Sequence, residues 1–184
     1  DEIKNWHPLF ALPCYDQQLT EPVFMSFLKT AIGFKEIGLK FSVSTLSDSL
    51  ISRARNQLVA KFMANKEYTH LMFIDADIQF EAKDLLKMID SDVEIICGLY
   101  PKKEINWGGV AYAIEKKVPQ DQLKYFTGEY VVNMVGDVKK QLVPLDKPFE
   151  IKHGGTGFML IKREVFDKLK DKCPSYTHNM SDVN

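Results

Sequence analysis

Cysteine is scarce: three residues in 184, Cys14, Cys97 and Cys173, far apart and odd in number. They form neither a disulfide framework nor a CxxC metal motif, which points to a reducing compartment and an expected cytoplasmic location. Cys14 and Cys97 sit in apolar runs and are read as buried small hydrophobes. No apolar stretch approaches the roughly 20 residues of a membrane-spanning helix, so no transmembrane segment is expected. The opening Asp1-Glu-Ile-Lys lacks a signal-peptide pattern and an initiator Met, which leaves residues before it open. A charge excess is missing too. The 24 Lys and Arg face 25 Asp and Glu, for a net charge of -1. No global field draws nucleic acid, and any basic site must be local. Internal repeats and low-complexity tracts are absent. The length suits one domain, large enough to bury roughly 70% of its unfolded surface.

What is present centres on Tyr68-Thr-His-Leu-Met-Phe-Ile-Asp-Ala-Asp-Ile-Gln-Phe80. Leu71 to Ile74 form an apolar run of the length expected for a strand buried on both faces of a parallel sheet. It ends in two carboxylates, Asp75 and Asp77. On extended chain, side chains at i and i+2 share a face, so both can address one object. Two carboxylates this close repel until a cation sits between them. In open α/β sheets ligands bind beyond the carboxyl ends of the strands, where this pair falls. The expectation is a divalent-cation site on an anionic ligand. Asp-x-Asp alone is equally a turn or a helix cap; the buried strand before it and a helix after it, with Leu85, Met88 and Ile89 at helical spacing, favour the ligand site.

Around it the pattern alternates strand and helix. Leu9 to Asp16 reads as a first strand, with Pro13 marking its end. Thr20 as N-cap and Pro22 in the first turn open a helix with Val23, Phe24, Phe27, Leu28 and Ala31 on its apolar face, ending between Gly33 and Gly38. Leu39 to Val43 is predicted as a strand and Ser44 to Ser49 as a polar loop. From Leu50 to Asn65 a helix is predicted, with Leu50, Ala54, Leu58 and Phe62 four apart. Arg53, Asn56 and Gln57 lie together on another side. Arg53, in the first turn, is a candidate phosphate binder, or else a solvated arginine; Asp48 reads first as a cap of this helix. Val93 to Leu99 reads as another buried strand. Lys102 and Lys103 just past it can meet phosphates, although a lysine pair is more often a solvated turn. Trp107, Tyr112, Tyr125, Phe126 and Tyr130 follow, for which core packing is expected over stacking on sugar rings. Short strands are predicted at 130–135 and 141–143. Gly154-Gly155-Thr156-Gly157 permits close approach of a ligand but is no P-loop, since no Gly-Lys-Ser/Thr follows. A strand, Phe158 to Ile161, and a helix, Arg163 to Lys170, with Val165, Phe166 and Leu169 inward, come next, then an irregular tail.

Together, several stretches span most of the chain in one order: Pro-Cys-Tyr-Asp (Pro13 to Asp16), Ser-Arg-Ala-Arg-Asn (Ser52 to Asn56), Phe-Ile-Asp-Ala-Asp-Ile (Phe73 to Ile78), Cys-Gly-Leu-Tyr-Pro-Lys-Lys (Cys97 to Lys103) and Gly-Gly-Thr-Gly-Phe-Met-Leu-Ile-Lys-Arg-Glu-Val-Phe (Gly154 to Phe166). With them the chain resembles the GT-A fold glycosyltransferases that use a nucleotide-sugar donor, and among these the small enzymes of large DNA viruses and bacteriophage. The resemblance implies a Rossmann-like α/β domain over residues 1–184, with a mostly parallel central sheet flanked by helices and a small antiparallel extension. Residues 1–103 would be the nucleotide-binding half and 104–184 the donor-sugar and acceptor half. It implies a hexosyl- or pentosyltransferase with Mn2+ or Mg2+ as cofactor, a nucleotide-sugar donor, uridine by resemblance alone, and a glycan acceptor. Pro13, Tyr15 and Asp16 would cradle the nucleoside, Asp48 would reach the base and Arg53 the phosphates or sugar. Asp75 would hold ribose or metal, Asp77 would be the direct metal ligand, and Gly155, Thr156 and Gly157 would line the donor-sugar and acceptor subsite.

The tail departs from the family. An acidic motif carrying the base of inverting enzymes is expected there, with a further histidine for the metal, and no clear Glu-Asp motif follows. Either the chain lacks its last portion, or the final elements differ, or Asp182 takes the role of base and His178 that of metal ligand; His153 is a further metal-ligand candidate. Two other functions stay open: a sugar nucleotidyltransferase, and a module that binds nucleotide or glycan without transfer. An aspartate-nucleophile phosphatase is rejected, because Gln79 stands where that pattern wants Thr or Val.

Overall fold

The structure is a computed structural model that describes residues 5–135 and 147–173. Its central sheet has five strands: β1 (Pro8–Cys14), β2 (Ser42–Ser47), β3 (His70–Ile74), β4 (Ile95–Cys97) and β7 (Phe158–Lys162). They lie in the order β2-β1-β3-β7-β4. β1 pairs in parallel with β2 and β3, and β7 runs antiparallel between β3 and β4. A separate two-stranded antiparallel ribbon joins β5 (Val132–Met134) to β6 (Ile151–Gly154). Among the described residues five α-helices accompany the strands: α1 (Glu21–Glu36), α2 (Ile51–Ala64), α3 (Ala82–Asp90), α4 (Trp107–Glu115) and α5 (Arg163–Leu169). This is a mixed α/β domain with a mostly parallel sheet flanked by helices.

The two central strands are buried along their whole length. Because strand side chains alternate, each serves two cores. Phe10, Leu12, Met72 and Ile74 join Phe34 of α1 and Leu85, Met88 and Ile89 of α3 on one face. Leu9, Ala11, Leu71 and Phe73 meet Leu58 and Phe62 of α2 on the other, where Phe166 of α5 packs against them. A sheet covered on both faces accounts for continuous apolar runs instead of alternating ones.

Several expectations give way here. The second strand is shifted: β2 spans the serine-rich segment read as a loop. Gly38, at φ 73°, ends the preceding turn, and the Leu39 N–H returns to the Phe34 carbonyl, so Leu39 enters the core from a loop. As an edge strand, β2 needs little apolar surface, and Ser44 alone is buried. β4 likewise lies at an edge and is partly exposed, not buried. The buried stripe of α1 is Val23, Ser26, Thr30 and Phe34, leaving Phe24 and Leu28 exposed. Ser26 can be buried because its hydroxyl donates to the Pro22 carbonyl and accepts the Phe80 N–H. Pro13 lies inside β1, past the last β1–β3 pair, Ala11 with Phe73, where a missing donor costs no bond to β3. β6 takes in Gly154, the first residue of the glycine loop, and Leu169 of α5 is exposed. The strand expected at 141–143 lies outside the described residues.

One side chain ties the far end of the sheet together. Arg163, the first residue of α5, donates from Nε to the Tyr68 carbonyl at 2.6 Å and from Nη2 to the Phe62 and Asn65 carbonyls at 2.9 and 2.6 Å. Its guanidinium lies over the Phe62 ring at 4.3 Å. It thus satisfies carbonyls at the C-terminal end of α2, where a cation is also favoured by the helix dipole. Arg163→Ala should lower stability by about 2–3 kcal/mol, the order of charge-assisted bonds left unmade, and Arg163→Lys should recover only part of it. Urea unfolding followed by circular dichroism measures both; equal midpoints for wild type and Arg163→Ala would show that the clamp contributes nothing.

Candidate functional site

The topology brings most of the sequence-predicted residues to one edge of the sheet. The parallel strands end there at Cys14, Ser47, Ile74 and Cys97, and antiparallel β7 begins there. The Tyr15–Gln17 turn leaves β1 with Asp16 and Gln17 at φ 50° and 58°. That left-handed conformation is uncommon outside glycine. It leaves the Tyr15 ring exposed. Asp48 follows β2, Asp75 to Asp77 follow β3, and the segment from Gly98 to Lys103 follows β4.

Asp75 and Asp77 stand on a turn, not on extended chain. The Ile78 N–H closes it onto the Asp75 carbonyl at 3.1 Å. The Thr20 N–H and hydroxyl both donate to the Ala76 carbonyl, at 3.0 and 3.2 Å. Thr20 therefore pins the acidic turn instead of capping α1 with its side chain. From the other side the Asp75 N–H donates to the Gly157 carbonyl at 2.7 Å.

Each carboxylate has its own cation from within the chain. Arg55 Nη2 donates to Asp75 Oδ1 at 2.7 Å, and its guanidinium lies 5.9 Å from the Phe73 ring centre. The Lys103 amine pairs with Asp77 Oδ2. That hydrogen bond, with the Asp77 charge and a smaller effect of Asp75, holds the Lys103 pKa above the usual lysine value. Both acids therefore act on one amine. Arg55, and not the Arg53 singled out by the sequence, is the arginine that reaches the acidic turn. Arg53 instead holds Asp48 with both ends of its fork, Nε to Oδ2 at 2.5 Å and Nη2 to Oδ1 at 2.6 Å. Asp48 Oδ1 also accepts the Leu50 N–H at 2.9 Å, ahead of α2. A signal for Arg55 was present: it falls between Ile51 and Val59 beside the apolar stripe of α2, where a cation needs a partner.

Lys102 turns away from the acidic pair. Its amine pairs with Glu129 at 2.9 Å and its N–H donates to the Glu129 carbonyl at 2.7 Å. These two residues, Asn133, His153, Gly154 and Gly155 border a cleft of about 210 Å³ beside the β5–β6 ribbon. The aromatic residues expected in the core are mostly on the surface: Trp107 and Tyr125 are each 71% exposed, and Tyr112 and Tyr130 are exposed as well. The reason is local, since α4 buries only Ala113.

The glycine loop closes the site. The Gly157 N–H donates to the Tyr100 hydroxyl at 3.1 Å. A Cβ on Gly157 would lie 2.6 Å from Asp75 Oδ2, 2.8 Å from the Tyr100 hydroxyl and 2.9 Å from the Ile78 side chain. A Cβ on Gly155 would lie 2.1 Å from the same hydroxyl. Thr156 is exposed between them.

A divalent cation is the group implied for Asp75 and Asp77. Among the described residues no three His, Cys, Asp or Glu side chains gather into a metal cluster, so His153 adds no third ligand. His178 and Asp182 lie outside the described residues. Two carboxylates are nevertheless what Mg2+ takes where substrate phosphates and water complete its shell. Asp75 Oδ2 faces the glycine loop while Oδ1 holds Arg55. The donor set fits a cation that arrives with a phosphorylated ligand.

No family model and no curated protein matches the chain. Among solved structures, the crystal structure of A197 from STIV is similar to it, with a TM-score of 0.51 and 20% identity over 89% of this chain and 68% of that one. At this identity the likeness is one of fold.

Gly157→Ala should cost about 1–3 kcal/mol, as overpacking does when the Asp75 carboxylate, the Tyr100 hydroxyl and the Ile78 side chain must all give way. The loss is read as a lower urea midpoint; an unchanged midpoint would mean that the loop yields and does not set the position of Asp75.

Proposed function

We propose that the chain is a metal-dependent GT-A-type glycosyltransferase that moves a sugar from a nucleotide-sugar, uridine diphosphate sugar by preference, to a glycan acceptor. The observation that carries this reading is the meeting of the Asp75–Asp77 turn with the Gly155–Gly157 loop at the carboxyl edge of the sheet. In such a transfer the bond between the anomeric carbon and the diphosphate oxygen breaks, the electron pair stays with the diphosphate, and a bond forms to an acceptor hydroxyl that gives up its proton. A bound Mn2+ or Mg2+ supplies Lewis-acid stabilisation of the departing charge, typically several kcal/mol.

The chain's own residues have distinct tasks in this reading. Asp75 and Asp77 would hold the cation. Tyr15, exposed beyond β1, offers a ring to the base, with Pro13 and Asp16 beside it. The Asp48–Arg53 pair braces the start of α2 near the nucleoside. Gly155, Thr156 and Gly157 allow a sugar to approach the backbone closely. Trp107 and Tyr125 present exposed rings on which acceptor sugars can stack. Asp182 stays the sequence candidate for the base.

Calorimetric titration of UDP with Mn2+, and again with EDTA, tests the reading. Binding is expected only with metal, and Asp77→Asn should weaken it by at least tenfold while the fold persists, since Asp77 is a partly exposed turn residue. UDP binding indifferent to EDTA and to Asp77→Asn would count against the assignment. Transfer from a UDP-sugar to an acceptor separates the enzyme from a binding module. Release of pyrophosphate from a sugar phosphate plus nucleoside triphosphate would mark a nucleotidyltransferase instead.

A further inference from the structure

We propose that Lys103 is a tethered counter-cation for the Asp75–Asp77 site: it holds the place of the divalent ion at Asp77 and passes to the diphosphate when ion and diphosphate bind together. The inference rests on the proposed reading for the identity of the ligand, but not for the behaviour of the acidic pair.

The charges are balanced within the chain, two carboxylates against Arg55 and Lys103. A divalent ion arriving alone must displace a cation or sit among two, and either weakens its binding. An ion arriving with a diphosphate brings anionic oxygens for the displaced amine. Metal and diphosphate should therefore bind cooperatively, each raising the affinity for the other by the same factor.

The two cations are not equivalent. Arg55 is held. Its side chain is 23% exposed and its guanidinium lies near the Phe73 ring. It stays with Asp75 Oδ1, leaving Oδ2 turned to Gly157. Lys103 has 85% of its side chain in solvent and a flexible four-carbon stem. Its neighbour Lys102 is anchored to Glu129 through both backbone and side chain. The base of the loop is thus fixed while the Lys103 amine can move. An exposed ion pair of this kind adds little stability, so the pair is easily exchanged.

The test is Mn2+ binding followed by the electron paramagnetic resonance signal of the free ion, alone, with inorganic pyrophosphate and with UDP. Wild type, Lys103→Met and Lys102→Met are compared. Lys103→Met should bind Mn2+ alone roughly tenfold more tightly, the order expected for removing one unit charge a few ångströms away at a partly wet site. The enhancement of Mn2+ binding by pyrophosphate, large in wild type, should shrink by a similar factor, and Lys102→Met should behave as wild type. Exposure of Lys103 leaves the fold of the variant intact. Mn2+ affinity that is unchanged or weaker in Lys103→Met overturns the proposal, as does an undiminished pyrophosphate enhancement. Enhancement by pyrophosphate but not by UDP would support the counter-cation while sinking the uridine donor.

Discussion

Two negative charges at the end of a strand that is itself wholly buried are the constraint around which this structure is arranged. Ile74 is fully shielded from solvent, and the next residue, Asp75, carries a charge. Such a charge is tolerable at the sheet edge only with compensation close by. The chain supplies it from two distant segments: Arg55 on α2 and Lys103 beyond β4. Backbone restraint comes from two more, Gly157 on one side and Thr20 on the other. The acidic turn is thus fixed by four segments, none adjacent to it in sequence. Rigid placement by a packed scaffold is what a site needs if its geometry is to precede its ligand.

The antiparallel strand makes this convergence possible. Had β7 run parallel to β3, its leading glycines would lie at the opposite edge of the sheet. Running antiparallel, it is stapled to β3 at both ends, by Asp75 N–H to Gly157 at one and by Arg163 N–H to Thr69 at the other. Register is fixed between these points, from Ile74 opposite Phe158 to His70 opposite Lys162. A one-residue slip would turn Phe158 and Leu160 out of the core and carry Gly157 away from Asp75. Packing at the buried face and geometry at the site are therefore one requirement. The Arg163 clamp at the far end of β7 supports the glycine loop at the near end.

Much of this was legible in the sequence because strong local signals and the fold agree. The apolar run before Asp75, the helical spacing of Ala54, Leu58 and Phe62, and the glycines before Phe158 each carry their own meaning. What escaped reading depends on tertiary partners. The serines of β2 make a strand only because β1 lies alongside. Ser26 is buried only because Phe80 returns to it. The choice between Arg53 and Arg55 is invisible to spacing alone: both belong to one short motif, yet Asp48 takes the first and Asp75 the second. Likewise Lys102 and Lys103 look interchangeable in sequence, and Glu129 separates them. Long-range pairing decides polar partners in a way that hydrophobic periodicity cannot.

The exposed aromatic residues of α4 and its neighbours follow from the same division. Residues up to Cys97, together with β7 and α5, build the sheet and its covering helices. The segment from Gly98 to Met134 adds little to either core, apart from Tyr100, which packs against one of them. Its rings are consequently left at the surface, near a segment that contributes Lys103 and Tyr100 to the site. A sheet edge that fixes an acidic turn can serve one chemistry with many partners, provided that a separate, less deeply packed segment supplies the contacts that differ. On the proposed reading, cation and diphosphate belong to the rigid half and the acceptor to the exposed one. Tyr100 and Lys103 are where the two halves touch, one through the glycine loop and one through Asp77, so an acceptor bound to the exposed segment would be felt at the acidic turn through these two side chains.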